Sequence, residues 1–324
     1  MSRTLVVLGG GGALGAYQSG ALLALLEAGV VPDKLFGCSA GGLNAAFLAA
    51  SPTVKRAGEL AEWWADTSNH RVMAPGLRAK LRGFASAATL RADAILDARP
   101  LRTLIAAQVP AHDLSELAVP LTVTTTCLDC GVAVHHDSGP VEDVLVASCS
   151  LPGLFPPVTL GDGHQHVDGG VLCGVPLEAA LAVAGPTDRV LVLDCALAPV
   201  TGAPGGCAAL PGAAEEVCGL PSVGRSYTAP VESSRGALDV VLRAFTAARA
   251  AANRASTEPG LTDPRTSVLP HVADAWAAGL LLELPTGPRD FSRTGGLVAA
   301  GHAATAAWLA RDGQLASGTG SATV

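Results

Sequence analysis

The chain has few charged and few aromatic residues. Charged side chains make up 15% of its 324 residues and aromatic ones 4%, with only two Met and two Tyr. Its formal net charge of −7 argues against general affinity for nucleic acid, so we expect no nucleic-acid partner. No stretch reaches the roughly 18 unbroken apolar residues that a membrane-spanning helix needs.

Hydrophobic residues, by contrast, make up 49% of the chain, which is enough to bury a full core. The apolar run at residues 4–8 is shorter than the roughly 7–15 residues of a secretory signal. The eight Cys residues form no paired framework, as expected in a reducing compartment. We therefore expect a cytoplasmic protein, either without membrane contact or in transient contact with the inner membrane surface.

Short apolar runs, glycine turns and helical segments follow one another along the chain. This alternation predicts an α/β fold, a three-layer α/β/α sandwich around a mostly parallel sheet. We predict one domain at residues 1–311 and a flexible tail at 312–324. Residues 199–234 are rich in Pro, Gly, Ala and Ser without periodicity, and they are expected to form an irregular insertion, either a lid or a plain loop.

A glycine loop follows the first predicted strand. Gly10, Gly11 and Gly12, with Gly15 shortly after, lie at a strand-to-helix turn. Consecutive glycines can turn several backbone N–H groups toward one point, and the helix end adds partial positive charge. Such a loop binds an anion, either a phosphate or the oxyanion of a tetrahedral intermediate.

A second motif, G-x-S-x-G, spans Gly37, Ser39 and Gly41 between a short strand and a helix. Its glycines permit the sharp turn that exposes a serine hydroxyl at a sheet edge. The motif alone is weak, because small residues at a helix start produce it by chance.

The third motif is Asp168-Gly169-Gly170, just past another strand. Its glycines would let the backbone pass close to the Ser39 turn while the carboxylate points back toward it. Asp194 ends a strand too and is a weaker candidate base. Each motif alone is weak, and the specificity lies in having all three in this order, each at a strand end; they call for no metal.

These segments resemble the patatin-like phospholipases, in particular their compact bacterial members. The resemblance rests on GGGGALGAYQSGAL, GCSAGGLNAA, ASCSLPGLFPPV and VDGGVLCGVPLEAAL, and on RDFSRTGGLVAAGHAATAAWL near the end. It implies a hydrolase of lipid or small acyl esters without a catalytic histidine. By this match Ser39 is the nucleophile, Asp168 the proton acceptor, and the amides of Gly10, Gly11 and Gly12 the oxyanion hole.

The chain departs from the family pattern at Leu14, where those proteins usually carry Arg or Lys. Without that cation we expect weaker use of anionic phospholipids than of neutral or aryl esters. The Pro-rich segment at 148–158 is expected to border the acyl pocket, with plain packing as its alternative.

Three other functional classes remain open. A Ser-His-Asp esterase would use His271 or His302. A nicotinamide or flavin protein would use the glycine loop, but its acidic residue should end the second strand, and Asp33 precedes that strand. A degenerate lipid-binding protein would carry a dead site.

Cys127-x-x-Cys130 with His135 and His136 has a spacing that zinc sites also use. Adjacent residues on a strand point to opposite faces, so both histidines cannot readily join one site. The sequence therefore predicts ordinary packing and no metal.

Overall fold

The computed structural model describes residues 2–66, 69, 94–195, 237–281 and 291–318. The insertion predicted at 199–234 lies outside these residues. The strands are β1 (Thr4–Leu8), β2 (Lys34–Cys38), β3 (Leu121–Cys127), β4 (Val132–His136), β5 (Val158–Thr159), β6 (Gln165–Asp168), β7 (Arg189–Leu193) and β8 (Thr266–Val268). The helices are α1 (Gly15–Glu27), α2 (Ala40–Ala49), α3 (Val54–Ala65), α4 (Arg99–Gln108), α5 (Val141–Cys149), α6 (Leu177–Val183), α7 (Ala237–Leu261), α8 (Val272–Ala277) and α9 (Thr294–Gly318).

The strands form one sheet whose hydrogen-bonded neighbours run β5-β6-β3-β2-β1-β7-β8, with β4 also paired to β3. Strands β3, β2, β1, β7 and β8 are parallel to one another. Strands β4 and β6 are antiparallel to β3, and β5 is antiparallel to β6. The carboxyl ends of the five parallel strands therefore lie at one edge of the sheet, where binding sites of such folds usually form.

Strand β3 brings the ends of two other strands together. On one side β2 runs parallel to it, and Cys38, the last residue of β2, lies opposite Thr124. The next residue of β3, Thr125, lies opposite Asp168, the last residue of the antiparallel β6. Since β4 occupies the other side of β3, β2 and β6 share one side and their carboxyl ends meet head-on.

Alternate residues of the strands supply two cores. On β1, Val6 and Leu8 join the larger apolar cluster, which packs against α1, α2 and α9. Leu5 and Val7 point the other way and join a smaller cluster with Leu177 of α6. Because helices cover both faces of the central sheet, the predicted α/β sandwich is confirmed.

Helix α9 runs to Gly318, so the helix extends into the segment predicted as a flexible tail at 312–324. Residues such as Gln314, Leu315 and Ala316 favour the helical backbone, which explains its continuation. No helix in the described part of the chain is long and apolar enough to cross a membrane.

Helices α1 and α9 cross at very short distance through a glycine on each. A Cβ atom at Gly20 would overlap the carbonyl of Val298, and one at Gly301 would overlap the carbonyl of Tyr17. No residue larger than glycine fits at either position without moving a helix backbone.

We expect Gly301→Ala to lower the free energy of unfolding by about 1–3 kcal/mol, because the added methyl group overpacks the crossing. The matched control is Gly58→Ala in α3, where an added Cβ has nothing within 4 Å. That change is expected to raise the free energy of unfolding by about 0.5–1 kcal/mol, as alanine favours the helix. Urea unfolding of both variants measures the contrast, and equal effects would contradict the close crossing.

Candidate active site

Ser39 occupies a strained turn between β2 and α2. Its φ is 53° and its ψ is −125°, and among the described residues it is the only non-glycine residue with positive φ. Such a backbone costs on the order of 1–3 kcal/mol and is usually found where a functional side chain must be aimed. The turn has the form that the G-x-S-x-G motif predicts.

Two contacts hold this turn in place. The amide of Ser39 donates to Ser148 Oγ at 2.8 Å, and that hydroxyl donates to the carbonyl of Thr124 at 2.7 Å. A Cβ atom at Gly41 would lie 2.6 Å from the carbonyl oxygen of Gly9, so only glycine lets the start of α2 pass the glycine loop. The serine is thus fixed to β3 on one side and to the end of β1 on the other.

Ser39 and Asp168, 129 positions apart, are in direct contact. Ser39 Oγ donates to Asp168 Oδ2 at 2.7 Å. The other carboxylate oxygen accepts the amide of Gly170 at 2.7 Å, and the Asp168 amide donates to the carbonyl of Ser150 at 2.9 Å. A Cβ atom at Gly169 would lie 3.0 Å from Cys38 Sγ, so this turn passes close to the serine turn.

The surroundings of Asp168 make it a stronger base than an exposed aspartate. Burial raises the pKa of Asp168 above its ordinary value of 3.8. The hydrogen bonds from Ser39 and the Gly170 amide, and the positive charge of Arg249, oppose part of that rise in pKa. A carboxylate with raised proton affinity, bonded to a serine hydroxyl, can accept the hydroxyl proton during attack.

The neighbouring thiol does not compete as a nucleophile. Cys38 is fully buried, with its Sγ 4.0 Å from Asp168 Oδ1. Burial and the nearby Asp168 carboxylate raise the pKa of Cys38 well above its ordinary value. Its thiol therefore stays protonated, while the Ser39 hydroxyl faces the pocket.

The glycine loop lies directly beside the serine. A Cβ atom at Gly10 would sit 3.3 Å from Ser39 Cβ. The Gly10 amide donates to the carbonyl of Gly174 at 2.9 Å, whereas no acceptor in the described part of the chain takes the amides of Gly11 and Gly12. These two N–H groups, at the start of a 3-10 turn, are available to an anion.

Serine, carboxylate and glycine loop line one pocket of about 140 Å³. Its walls are mostly apolar, and Asp168, Arg249 and Asn253 are the polar side chains that line it together with Ser39. The lining residues are Gly10, Gly11, Gly12, Ser39, Ala40, Leu43, Leu101, Cys149, Leu151, Leu154, Phe155, Asp168, Gly170, Gly174, Arg249, Asn253 and Phe291. Leu151, Leu154 and Phe155 come from the Pro-rich segment, which therefore borders the pocket as predicted.

Residues 6–181 match the family model described as patatin-like phospholipase. The chain belongs to the patatin-like phospholipase family. The resemblance seen in its sequence motifs is thereby confirmed, and Ser39, Asp168 and the glycine loop all lie within the matched residues.

The match between this chain and each curated relative covers only part of the relative's length. An uncharacterised NTE family protein of Mycobacterium bovis is 30% identical over 187 residues, 56% of this chain and 46% of that protein. Patatin-like phospholipase domain-containing protein 6 of Homo sapiens is 28% identical over 190 residues, 58% of this chain and 13% of that protein. The solved structure of VipD from Legionella pneumophila is 15% identical with a TM-score of 0.46, covering 96% of this chain and 67% of that chain. The chain thus spans about half or less of the length of these curated relatives.

Helix α7 adds two polar side chains to the patatin-like site that the sequence motifs do not reveal. Arg249 and Asn253 both line the pocket, one helical turn apart. Asn253 Nδ2 donates to the carbonyl of Gly170 at 2.9 Å, and its Oδ1 accepts the amide of Gly174. Asn253 therefore braces the turn that follows Asp168.

The Arg or Lys that the family usually carries in the glycine loop is Leu14 in this chain. Leu14 is fully buried in the larger core, so an arginine there would place a charge among apolar side chains. The positive charge in this patatin-like pocket comes instead from Arg249. No group among the described residues accepts a hydrogen bond from its guanidinium.

The rival functions receive no support from the placement of their key residues. His302 Nε2 lies 2.7 Å from Glu27 Oε2, between α1 and α9. His271 is buried, and the Tyr17 hydroxyl lies 3.5 Å from its backbone carbonyl oxygen. Neither histidine is among the described contacts of Ser39. Asp33 accepts the amide of Thr4 at 2.7 Å, at the far end of β1 from the glycine loop, where no dinucleotide ribose bound at that loop would lie.

The electrostatics predict how Ser39 reactivity depends on pH. Labelling by a fluorophosphonate should slow as pH falls through the pKa of Asp168, which lies above 3.8, because a protonated carboxyl cannot accept the serine proton. Arg249→Gln should move the midpoint to higher pH, since it removes a charge that favours the carboxylate. The labelling rate is measured against pH.

Arg254→Gln is the matched control. It removes the same charge from the same helix, and Arg254 is not among the pocket-lining residues. An unchanged midpoint in Arg249→Gln, or an equal shift in both variants, would contradict the proposed charge effect.

Proposed function

We propose that this protein is a serine acyl hydrolase that cleaves carboxylic esters of lipids through a Ser39–Asp168 dyad and an acyl-enzyme. The observation that carries the proposal is the 2.7 Å hydrogen bond from Ser39 Oγ to a buried carboxylate in an apolar pocket. Membership of the patatin-like phospholipase family supports the same chemistry. The substrate, a lipid or small acyl ester, and the cytoplasmic location stay predictions.

The first half-reaction forms the acyl-enzyme. Ser39 Oγ attacks the ester carbonyl carbon while its proton passes to Asp168 Oδ2. The carbonyl oxygen becomes an oxyanion, and the amides of Gly11 and Gly12 donate to it. We assign Gly10 a supporting part, because its amide already bonds to Gly174. The bond to the alcohol then breaks, and the alcohol leaves with the proton from Asp168.

The second half-reaction restores the enzyme. Water gives a proton to Asp168 as its oxygen attacks the acyl carbon, and the same amides hold the new oxyanion. The Ser39 ester bond breaks, Ser39 regains the proton, and the carboxylic acid is released. One carboxylate serves both steps, so no histidine is needed.

The apolar wall is suited to an acyl chain. Leu43 lines both the catalytic pocket and a small adjoining cavity, which is bordered by Phe47, Leu60 and Trp63. We propose that the acyl chain lies along Leu43 toward this cavity. The polar side of the pocket, at Arg249, then receives the leaving alcohol and its headgroup.

We expect Ser39→Ala and Asp168→Asn each to lower kcat by at least about three orders of magnitude, because each removes one half of the proton transfer. Hydrolysis of aryl esters of graded acyl length measures the loss. Ser19→Ala is the matched control, since it removes a buried hydroxyl whose one partner among the described residues is the carbonyl of Ala16, and it should stay active.

His302→Ala and His271→Gln separate the dyad from a triad. A dyad enzyme keeps most of its activity in both variants, and circular dichroism checks that both are folded. A loss in either variant as large as that of Ser39→Ala would overturn the dyad. An inactive wild type that also resists fluorophosphonate labelling would instead indicate a degenerate lipid-binding protein.

The position of Arg249 in the pocket predicts a preference for substrates with an anionic headgroup. We expect Arg249→Gln to lower the turnover of anionic phospholipids relative to neutral aryl esters by about tenfold, because a guanidinium binds phosphate through paired hydrogen bonds. The ratio of the two kcat/KM values, measured beside that of Arg254→Gln, tests this. A ratio unchanged from wild type would remove Arg249 from substrate recognition.

A further inference from the structure

Two cysteines and a histidine converge at the carboxyl end of β3, beyond the point where this strand pairs with Cys38. Cys127 ends β3, Cys130 lies in the turn to β4, and His164 immediately precedes β6. His164 Nδ1 lies 3.3 Å from Cys130 Sγ and 3.7 Å from Cys127 Sγ. The three atoms all lie within 4.8 Å of one another.

These separations fit a shared metal ion. With zinc–sulfur bonds of about 2.3 Å and zinc–nitrogen bonds of about 2.0–2.1 Å at tetrahedral angles, sulfur and nitrogen lie about 3.6 Å apart. The two observed distances, 3.3 and 3.7 Å, fall on either side of that value. Both sulfurs thus lie beside the same imidazole nitrogen, as the ligands of one ion would.

Two hydrogen bonds that do not involve the three side chains join the β3–β4 turn to the start of β6. Leu128 donates its amide to the carbonyl of Gln165 at 2.8 Å, and the Gln165 amide donates to Asp129 Oδ2 at 2.7 Å. The Cys130 amide donates to Cys127 Sγ at 3.2 Å, a bond that stabilises a metal-bound thiolate. The ligand geometry is therefore pre-organised.

We propose that Cys127, Cys130 and His164 bind a zinc ion, with water as the fourth ligand. Asp162 does not complete the set, because its Oδ2 is already 2.9 Å from His166 Nε2. The histidines adjacent in sequence are not ligands, since His135 bonds to Thr124 and His136 to Thr125, on opposite faces of β3. This proposal revises the absence of a metal that the sequence alone predicted.

The site would act as a structural clamp and take no direct part in ester hydrolysis. It lies at the start of β6, and Asp168 lies at the end of that strand, roughly 13 Å away at about 3.3 Å per residue. A bound ion would join the β3–β4 turn to the start of β6. It would thereby fix the strand that carries Asp168.

The test uses the full chain, reduced and stripped of metal with a chelator. Zinc alone, titrated against a chromophoric chelator, should bind at one equivalent per chain and raise the Tm. Cobalt alone should give the visible absorption of a tetrahedral, thiolate-ligated ion. Cys130→Ser and His164→Gln should weaken zinc affinity at least tenfold and remove the cobalt absorption.

His135→Gln is the matched control and should bind zinc as wild type does. Cys130 and His164 are partly or fully exposed, so both variants are expected to fold, and circular dichroism of the metal-free proteins checks this. Substoichiometric zinc in the reduced wild type would overturn the proposal. So would a His164→Gln variant that binds zinc as tightly as wild type.

Discussion

The candidate site depends on one register in the sheet. Thr124 and Thr125 of β3 hold the last residues of β2 and β6 against the same side of the strand. Because side chains alternate between the two faces, a slip of one residue would turn Asp168 to the opposite face, away from Ser39. The register brings Ser39 and Asp168 together, and the strained serine turn with its hydrogen bond to Ser148 then orients the Ser39 side chain.

A second constraint is the balance of charge and burial around Asp168. A solvated aspartate titrates near ~3.9 and is a weak base for a serine hydroxyl, whereas a buried carboxyl without partners stays protonated. Burial raises the pKa of Asp168, and Ser39, Arg249 and the Gly170 amide limit the rise. Burial and the neighbouring groups therefore act on the pKa of Asp168 in opposite directions.

The sequence predicted those parts of the fold and of the site that depend on residues close together in the chain. Ser39 and Asp168 each lie at a strand end inside a glycine motif, so their turns, the α/β sandwich and the family were recognisable. Arg249 and Asn253 were missed because a spacing of four residues occurs in every helix, and nothing local marks which face meets the pocket. His164 was missed because it reaches the cysteines only through the antiparallel pairing of β6 with β3, 34 positions from Cys130.

Helix α7 has a consequence for how the site is assembled. Its Asn253 forms hydrogen bonds with Gly170 and Gly174, and its Arg249 supplies the pocket with positive charge. One helix thus makes both contributions. If α7 moved away, the pocket would lose its cation and the turn after Asp168 would lose its brace in the same movement.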